Sequence, residues 1–184
     1  RIGSPELQRE FLVPAVAGEM VACIGVSEPG AGSDVAAIRT TARKDGGDYV
    51  INGGKLWITN GAQADWMCCL ANTSEGSPHR NKSLIVVPMK TPGVTVARKI
   101  RKLGMHSSDT AQIHFDDVRV PQRYRIGEEG KGFKYILDGL NAERTLIAAE
   151  CIGDGYWFID RVTKYVKERE VFGRPIGKNQ GVQF

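Results

Sequence analysis

From residue 20 to residue 127 apolar positions come in short runs broken by glycine; beyond residue 128 they recur at helical spacing. The first pattern predicts strands at Tyr49-Val50-Ile51, Leu56–Thr59, Trp66–Leu70, Leu84–Pro88 and Val94–Val96, all rich in β-branched, aromatic or other apolar residues. Asp45-Gly46-Gly47-Asp48 separates the Arg39–Lys44 run from Tyr49–Asn52, and Asn52-Gly53-Gly54-Lys55 separates that run from Leu56–Thr59. Glycine supplies the positive φ that tight hairpin turns need. Short strands in succession predict an antiparallel β-barrel or sandwich.

After Gly127-Glu128-Glu129-Gly130, the residues Phe133, Ile136, Leu137, Leu140, Ile147 and Cys151 mark one helical face. The pattern persists to about Arg169, a helix of roughly 60 Å unless Gly153 and Gly155 bend it. So long a helix cannot bury its face against the preceding strands alone, so it reads as the first long helix of an α-helical bundle. The expected class is α+β. Residues 1–19 read as the tail of a helical domain, with Pro5–Phe11 the end of a helix arriving from upstream. Residues 20–127 form the β domain, and 128–184 the truncated start of a second helical domain. Because the other members of such a bundle are missing, the sequence reads as a piece of a longer protein.

Composition narrows the function classes. Of the 184 residues 41% are hydrophobic and 25% charged, ordinary for a water-facing chain. The net charge of +4 is mild, and its one basic run, Arg98–Lys102, reads as a solvated strand end, not a nucleic-acid surface. No apolar stretch approaches the eighteen or so residues of a membrane span. The four cysteines show no CxxC pairing and read as buried reduced thiols, which suggests a reducing compartment. The histidines form no HxxxH pair, so no metal site is expected. No signal or transit peptide is visible, although Arg1–Ser4 leaves room for a lost targeting segment.

The chemistry concentrates in three segments. Cys23-Ile24-Gly25-Val26-Ser27 is a short strand running into Glu28-Pro29-Gly30-Ala31-Gly32-Ser33-Asp34. Pro29 fixes φ while Gly30 and Gly32 let the main chain turn sharply, exposing N–H groups that can meet ring edges or phosphates. A plain glycine turn between strands is the alternative, and the spacing is not that of the dinucleotide fingerprint. In the second segment, Trp57 and Thr59 share a strand face because side chains alternate. An aromatic plane beside a hydroxyl suits a flat conjugated ring with a polar edge; a core tryptophan next to a strand threonine is the plainer alternative.

Together with Lys102-Leu103-Gly104-Met105-His106-Ser107-Ser108-Asp109-Thr110, these segments resemble, in order and spacing, the middle β-domain of the acyl-CoA dehydrogenase family. The resemblance covers nearly the whole chain. It implies that Ile24, Gly25, Val26 and Ser27 line an FAD, with Val26 and Ser27 at its pyrimidine edge. Trp57 and Ile58 would flank the ring system, Thr59 would bond near N5, and Gly32 and Ser33 would contact the flavin. Ser33 would also meet the pantetheine arm of an acyl-CoA.

In the helix, Leu140-Asn141-Ala142-Glu143-Arg144 resembles the family's substrate turn, with Asn141 and Arg144 as substrate contacts. Asn141 stands where an aspartate is common, which weakens any CoA contact carried over to it. Glu143 resembles the base of the isovaleryl- and long-chain-specific members, most others taking theirs from a loop near the C-terminus. A solvated acidic face shared with Glu150 is the alternative. Arg169, Phe172 and Gln180 resemble residues that reach the flavin of a neighbouring subunit, implying a homotetramer or dimer; a plain helix-terminal arginine is the alternative for Arg169. The implied reaction is α,β-desaturation of the thioester, with Glu143 taking the α-proton, FAD accepting a hydride and an electron-transferring flavoprotein receiving the electrons. Burial in an apolar acyl pocket would raise the pKa of that base. The compartment implied is the mitochondrial matrix in a eukaryote or the cytoplasm in a bacterium. An oxidase-like flavoenzyme would share these motifs, and a shortened chain would be inactive or a non-catalytic interaction module.

Overall fold

The computed structural model describes residues 2–184. They form two compact units, one ending at Ile136 and the other Leu137–Phe184. The first unit is built on eight strands: β1 (Ala22–Gly25), β2 (Thr41–Asp45), β3 (Asp48–Thr59), β4 (Trp66–Asn72), β5 (Lys82–Pro88), β6 (Val94–Lys99), β7 (Thr110–Pro121) and β8 (Arg125–Ile126). They pair in the order β6-β7-β3-β2-β4-β5-β8, with β1 beside β4. Among the described residues the edge strands β6 and β8 do not pair, so the sheet is sandwich-like and not a closed barrel.

The sheet departs from the all-antiparallel expectation. β1 runs parallel to β4, with Ala22 opposite Trp66 and Gly25 opposite Cys69. β2 also runs parallel to β4, with Thr41 opposite Asn72, so β1, β2 and β4 share one direction and β3 opposes β2. The β2–β3 hairpin turns at Gly46-Gly47 as expected, with Asp45 opposite Asp48. Asn52–Lys55, expected as a second turn, instead lies inside β3. Its glycines serve close approach: a Cβ on Gly53 would sit 2.8 Å from Thr40 Cα, and one on Gly54 3.1 Å from the Ile113 carbonyl. The register slips here because Asp116 and Asp117 of β7 share the place facing Asn52, whose side chain exchanges two 2.9 Å hydrogen bonds with Asp117.

The interior is filled by Tyr49, Ile51, Ile58, Met67, Cys69, Ile85, Val87, Ile113 and Val118, all buried. β5 is covered on both faces, which explains its unbroken apolar run. Ile85 and Val87 point into this core, while Val86 packs beneath Leu7 and Phe11 of the N-terminal helical stretch. That stretch comprises α1 (Pro5–Leu7), a π-helical turn (Gln8–Leu12) and α2 (Val13–Val16). The Ser4 hydroxyl caps it by accepting from the Leu7 N–H at 3.3 Å. Phe11 meets Trp66 and Tyr124 edge-on at 5.8 and 5.1 Å. Glu10 accepts hydrogen bonds from Arg123 at 2.7 Å and from the Tyr124 hydroxyl at 2.5 Å.

A long helix, α3 (Gly132–Glu168), starts in the first unit and supplies most of the second. Its 37 residues run unbroken through Gly153 and Gly155, about 55 Å in length. From Leu137 onward none of its residues is buried; Leu137, Ile147 and Cys151 of the expected apolar face are exposed. A short hairpin, β9 (Glu170–Val171) and β10 (Arg174–Pro175), follows through Phe172 and Gly173, both at positive φ. A final turn, α4, spans Gln180–Gln183.

All four cysteines are free, and the expectation of buried thiols fails for Cys151, which is exposed on α3. Burial pushes the Cys23 and Cys68 thiols up to about 12 and Cys69 to about 11. Among the described residues no helix is long and apolar enough to cross a membrane, and no cluster of three His, Cys, Asp or Glu could hold a metal.

Candidate functional site

β1 delivers its side chains alternately inward and outward. Cys23 and Gly25 face the core, while Ile24 is 45% exposed and Val26 and Ser27 are half-buried. Gly25 is glycine for a packing reason, since a Cβ there would meet Met67 Sδ at 2.3 Å. Beyond Ser27 the chain enters a loop in which Pro29, Gly30, Gly32, Ser33 and Asp34 are exposed. Nothing lies within 4 Å of a Cβ placed on Gly30 or Gly32, so this loop presents open main chain.

The Trp57 segment lies directly beside Ser27. The Leu56 N–H donates to the Ser27 carbonyl at 2.9 Å. Lys55 faces Ile113 and Ile58 faces Ala111, so Leu56 and Trp57 together oppose Gln112 in a β-bulge. Trp57 takes φ 65, a left-handed conformation that costs a bulky residue about 1–2 kcal/mol. The bulge turns its indole outward, where it is 60% exposed. Thr59 is exposed on the same side, while the Ile58 side chain lies in the core and leaves only its main chain to the outer surface.

The third segment is tied to the second through Asp109, which is buried. Its carboxylate accepts from the Ala62 N–H at 2.7 Å, and its carbonyl accepts from the Asn60 N–H at 3.2 Å. The loop before it is drawn together by Lys102 Nζ, which donates to the Ser108 carbonyl at 2.8 Å. Leu103, Met105 and His106 are exposed.

Sequence reasoning missed two residues. Glu28 and Lys55 form a buried ion pair, Oε1 to Nζ 2.8 Å, with the lysine side chain wholly buried and the glutamate 8% exposed. Glu28 also accepts from the Arg39 and Thr40 N–H groups at 2.6 and 3.1 Å, and Lys55 Nζ donates to the Val26 carbonyl at 3.1 Å. Burial raises the Glu28 carboxyl, but the Lys55 ammonium and these hydrogen bonds outweigh it and hold the group below the usual carboxylate range. The usable signal was a charged residue at a strand position between the glycines and the apolar run, where a solvated turn would not need Lys55 inside.

The helical residues stand in the second unit. Asn141, Glu143 and Arg144 are all exposed on α3. Arg144 Nη1 sits 3.4 Å from Asn141 Oδ1, and the Thr145 hydroxyl donates to the Asn141 carbonyl at 3.0 Å. Arg169, Phe172 and Gln180 are exposed around the hairpin, which closes with the Ile176 N–H donating to the Arg169 carbonyl at 2.8 Å.

Comparison with known proteins is consistent along the whole chain. Residues 23–118 match the acyl-CoA dehydrogenase middle domain and residues 130–184 the acyl-CoA dehydrogenase C-terminal domain. The chain is 38% identical over 184 residues to the mitochondrial short-chain specific acyl-CoA dehydrogenase of Rattus norvegicus, covering all of this chain and 45% of that protein. It is 39% identical over 183 residues to the mitochondrial isovaleryl-CoA dehydrogenase of Oryza sativa subsp. japonica, with the same coverage. The crystal structure of an acyl-CoA dehydrogenase from Geobacillus kaustophilus superposes with a TM-score of 0.90 at 42% identity, over all of this chain and 49% of that one. The chain thus spans about half the length of the relatives it matches.

Proposed function

The chain belongs to the acyl-CoA dehydrogenase family, and on that premise we propose that the protein serves FAD-dependent α,β-desaturation of an acyl-CoA thioester. The observation that carries the reading is the 2.9 Å hydrogen bond from Leu56 to Ser27, which joins the glycine-loop strand to the Trp57 bulge on one outward surface. That surface suits a flavin. Trp57 and Ile24 offer an exposed apolar plane, and among the described residues the N–H groups of Val26 and Ser27 have no acceptor within the chain. A flat ring with a polar edge answers both features. When bound, FAD supplies the two-electron acceptor.

The chain's own groups then divide the work. Val26 and Ser27 donate their free N–H groups to the ring's polar edge, with Gly25 keeping the strand close to Met67. Trp57 covers the ring and excludes water, Thr59 hydrogen-bonds beside it, and Gly32 and Ser33 meet the cofactor along the open loop, with the Ile58 main chain bordering it. Glu143 takes the α-proton of the thioester, while Ser33, Asn141 and Arg144 hold the CoA portion. Arg169, Phe172 and Gln180 reach the flavin of a second subunit, which makes the working form a homotetramer or dimer, and an electron-transferring flavoprotein removes the electrons. On the same reading residues 20–127 are the flavin domain, and the region from 128 opens the C-terminal helical domain, with 1–19 closing the N-terminal one. The mitochondrial names of the relatives support the mitochondrial matrix for a eukaryotic source, with the cytoplasm its bacterial counterpart.

A visible spectrum of the purified protein, before and after anaerobic addition of acyl-CoAs of graded length, tests this. A flavin band that bleaches is the expected result, and the most effective chain length names the substrate class. Absence of flavin, or a flavin that no acyl-CoA bleaches, overturns the reading. Glu143→Gln is expected to keep the flavin and abolish the bleaching; retained turnover would place the base elsewhere.

A further inference from the structure

The loop from Pro29 to Asp34 is exposed and unpacked at its glycines. Two features fix it to the molecule. Glu28 and Ala31 exchange main-chain hydrogen bonds at 2.9 and 3.1 Å, and Ala31 and Glu28 are themselves buried. From Glu28 the connection runs inward to Lys55, then back along the lysine to the Val26 carbonyl. Lys55 is the residue before the bulge that aims Trp57. Consecutive residues of β3 therefore hold consecutive carbonyls of the first strand: the Lys55 ammonium takes Val26 and the Leu56 N–H takes Ser27.

A buried ion pair is a weak device for stability, because the desolvation of both charges offsets much of their attraction, and apolar replacements are often neutral or stabilising. Its strength is in fixing one geometry. Here both elements it joins need fixing: a loop that is anchored at Ala31 but unpacked at Gly30 and Gly32, and a tryptophan held at φ 65. We propose that Glu28 and Lys55 are positioning residues of the flavin site. They hold the Val26 and Ser27 N–H groups in register with the Trp57 plane, so that the site is organised before FAD arrives. This rests on the flavin reading above.

The protein, stripped of flavin, is titrated with FAD, and the affinity, the shape of the visible band and the thermal midpoint of the apoprotein are read for each variant. Lys55→Met and Glu28→Gln are expected to weaken FAD binding by about tenfold or more and to shift the band. Val120→Ala, in the core on β7 opposite Tyr49 at the start of β3, lowers the midpoint but keeps the wild-type affinity and spectrum. Should the single variants fail to fold, the double Glu28→Gln/Lys55→Met leaves no charge unpaired, and the same loss of affinity is expected of it. Wild-type affinity and spectrum in the pair variants, or an equal loss in Val120→Ala, overturns the proposal and leaves the pair a structural feature. A wild-type protein that takes up no FAD is a separate result: it sinks the flavin reading and this proposal with it.

Discussion

Trp57 shows how a single residue carries the tension between folding and use. Its left-handed backbone and outward indole cost stability and gain little burial, the signature of strain kept at a working surface. Trp57→Gly is therefore expected to raise stability by up to about 1 kcal/mol while weakening FAD binding; urea unfolding and FAD titration measure the two halves, and a loss of stability would refute the strain. Glu28 makes a pH-dependent contribution of the opposite kind. Its folded pKa lies below the ordinary glutamate value of 4.5, so the stability it adds is complete above that value and is lost as pH falls from there through the lower folded pKa. The loss of stability on acidification below about pH 5, read from unfolding at successive pH values, is expected to be shallower in Glu28→Gln. The thiols give a third expectation: Cys23, Cys68 and Cys69 have raised pKa values and resist alkylation at neutral pH, whereas exposed Cys151 reacts in the native protein and all four react on unfolding.

Among the elements, the strand runs and the long helix were legible because their apolar periods are local properties of the chain. The Gly46-Gly47 hairpin was legible for the same reason, since a two-residue glycine turn needs no distant partner. Gly53-Gly54 looked identical in sequence and was not a turn, because its glycines answer to Thr40 and Ile113, residues remote along the chain. The parallel pairing of β1 with β4 was hidden for the same cause. Gly132 is a further case: a Cβ there would lie 2.7 Å from the main chain of Ser83, so α3 can begin only where glycine lets it approach β5. Gly132→Ala is expected to destabilise by about 1–3 kcal/mol, read as a lower urea midpoint with an unchanged slope.

At the scale of the whole molecule, burial is uneven. Among the described residues the first unit holds every fully buried side chain, while α3 beyond Ile136 has none. Amide exchange is expected to be slow in β3, β4 and β7 and much faster in α3 after Leu137; equal protection would show a cooperative unit that burial does not reveal. The sequence by itself determined the class of elements, their order and the segments that bear chemistry, because periodicity, glycine turns and the three linked segments are written in neighbouring residues. Tertiary structure alone decided that the sheet is mixed and unclosed, that Trp57 sits on a bulge, and that Glu28 meets Lys55 across 27 positions of chain. Those facts depend on which distant residues share a buried space, where an unpaired charge is costly enough to force a partner.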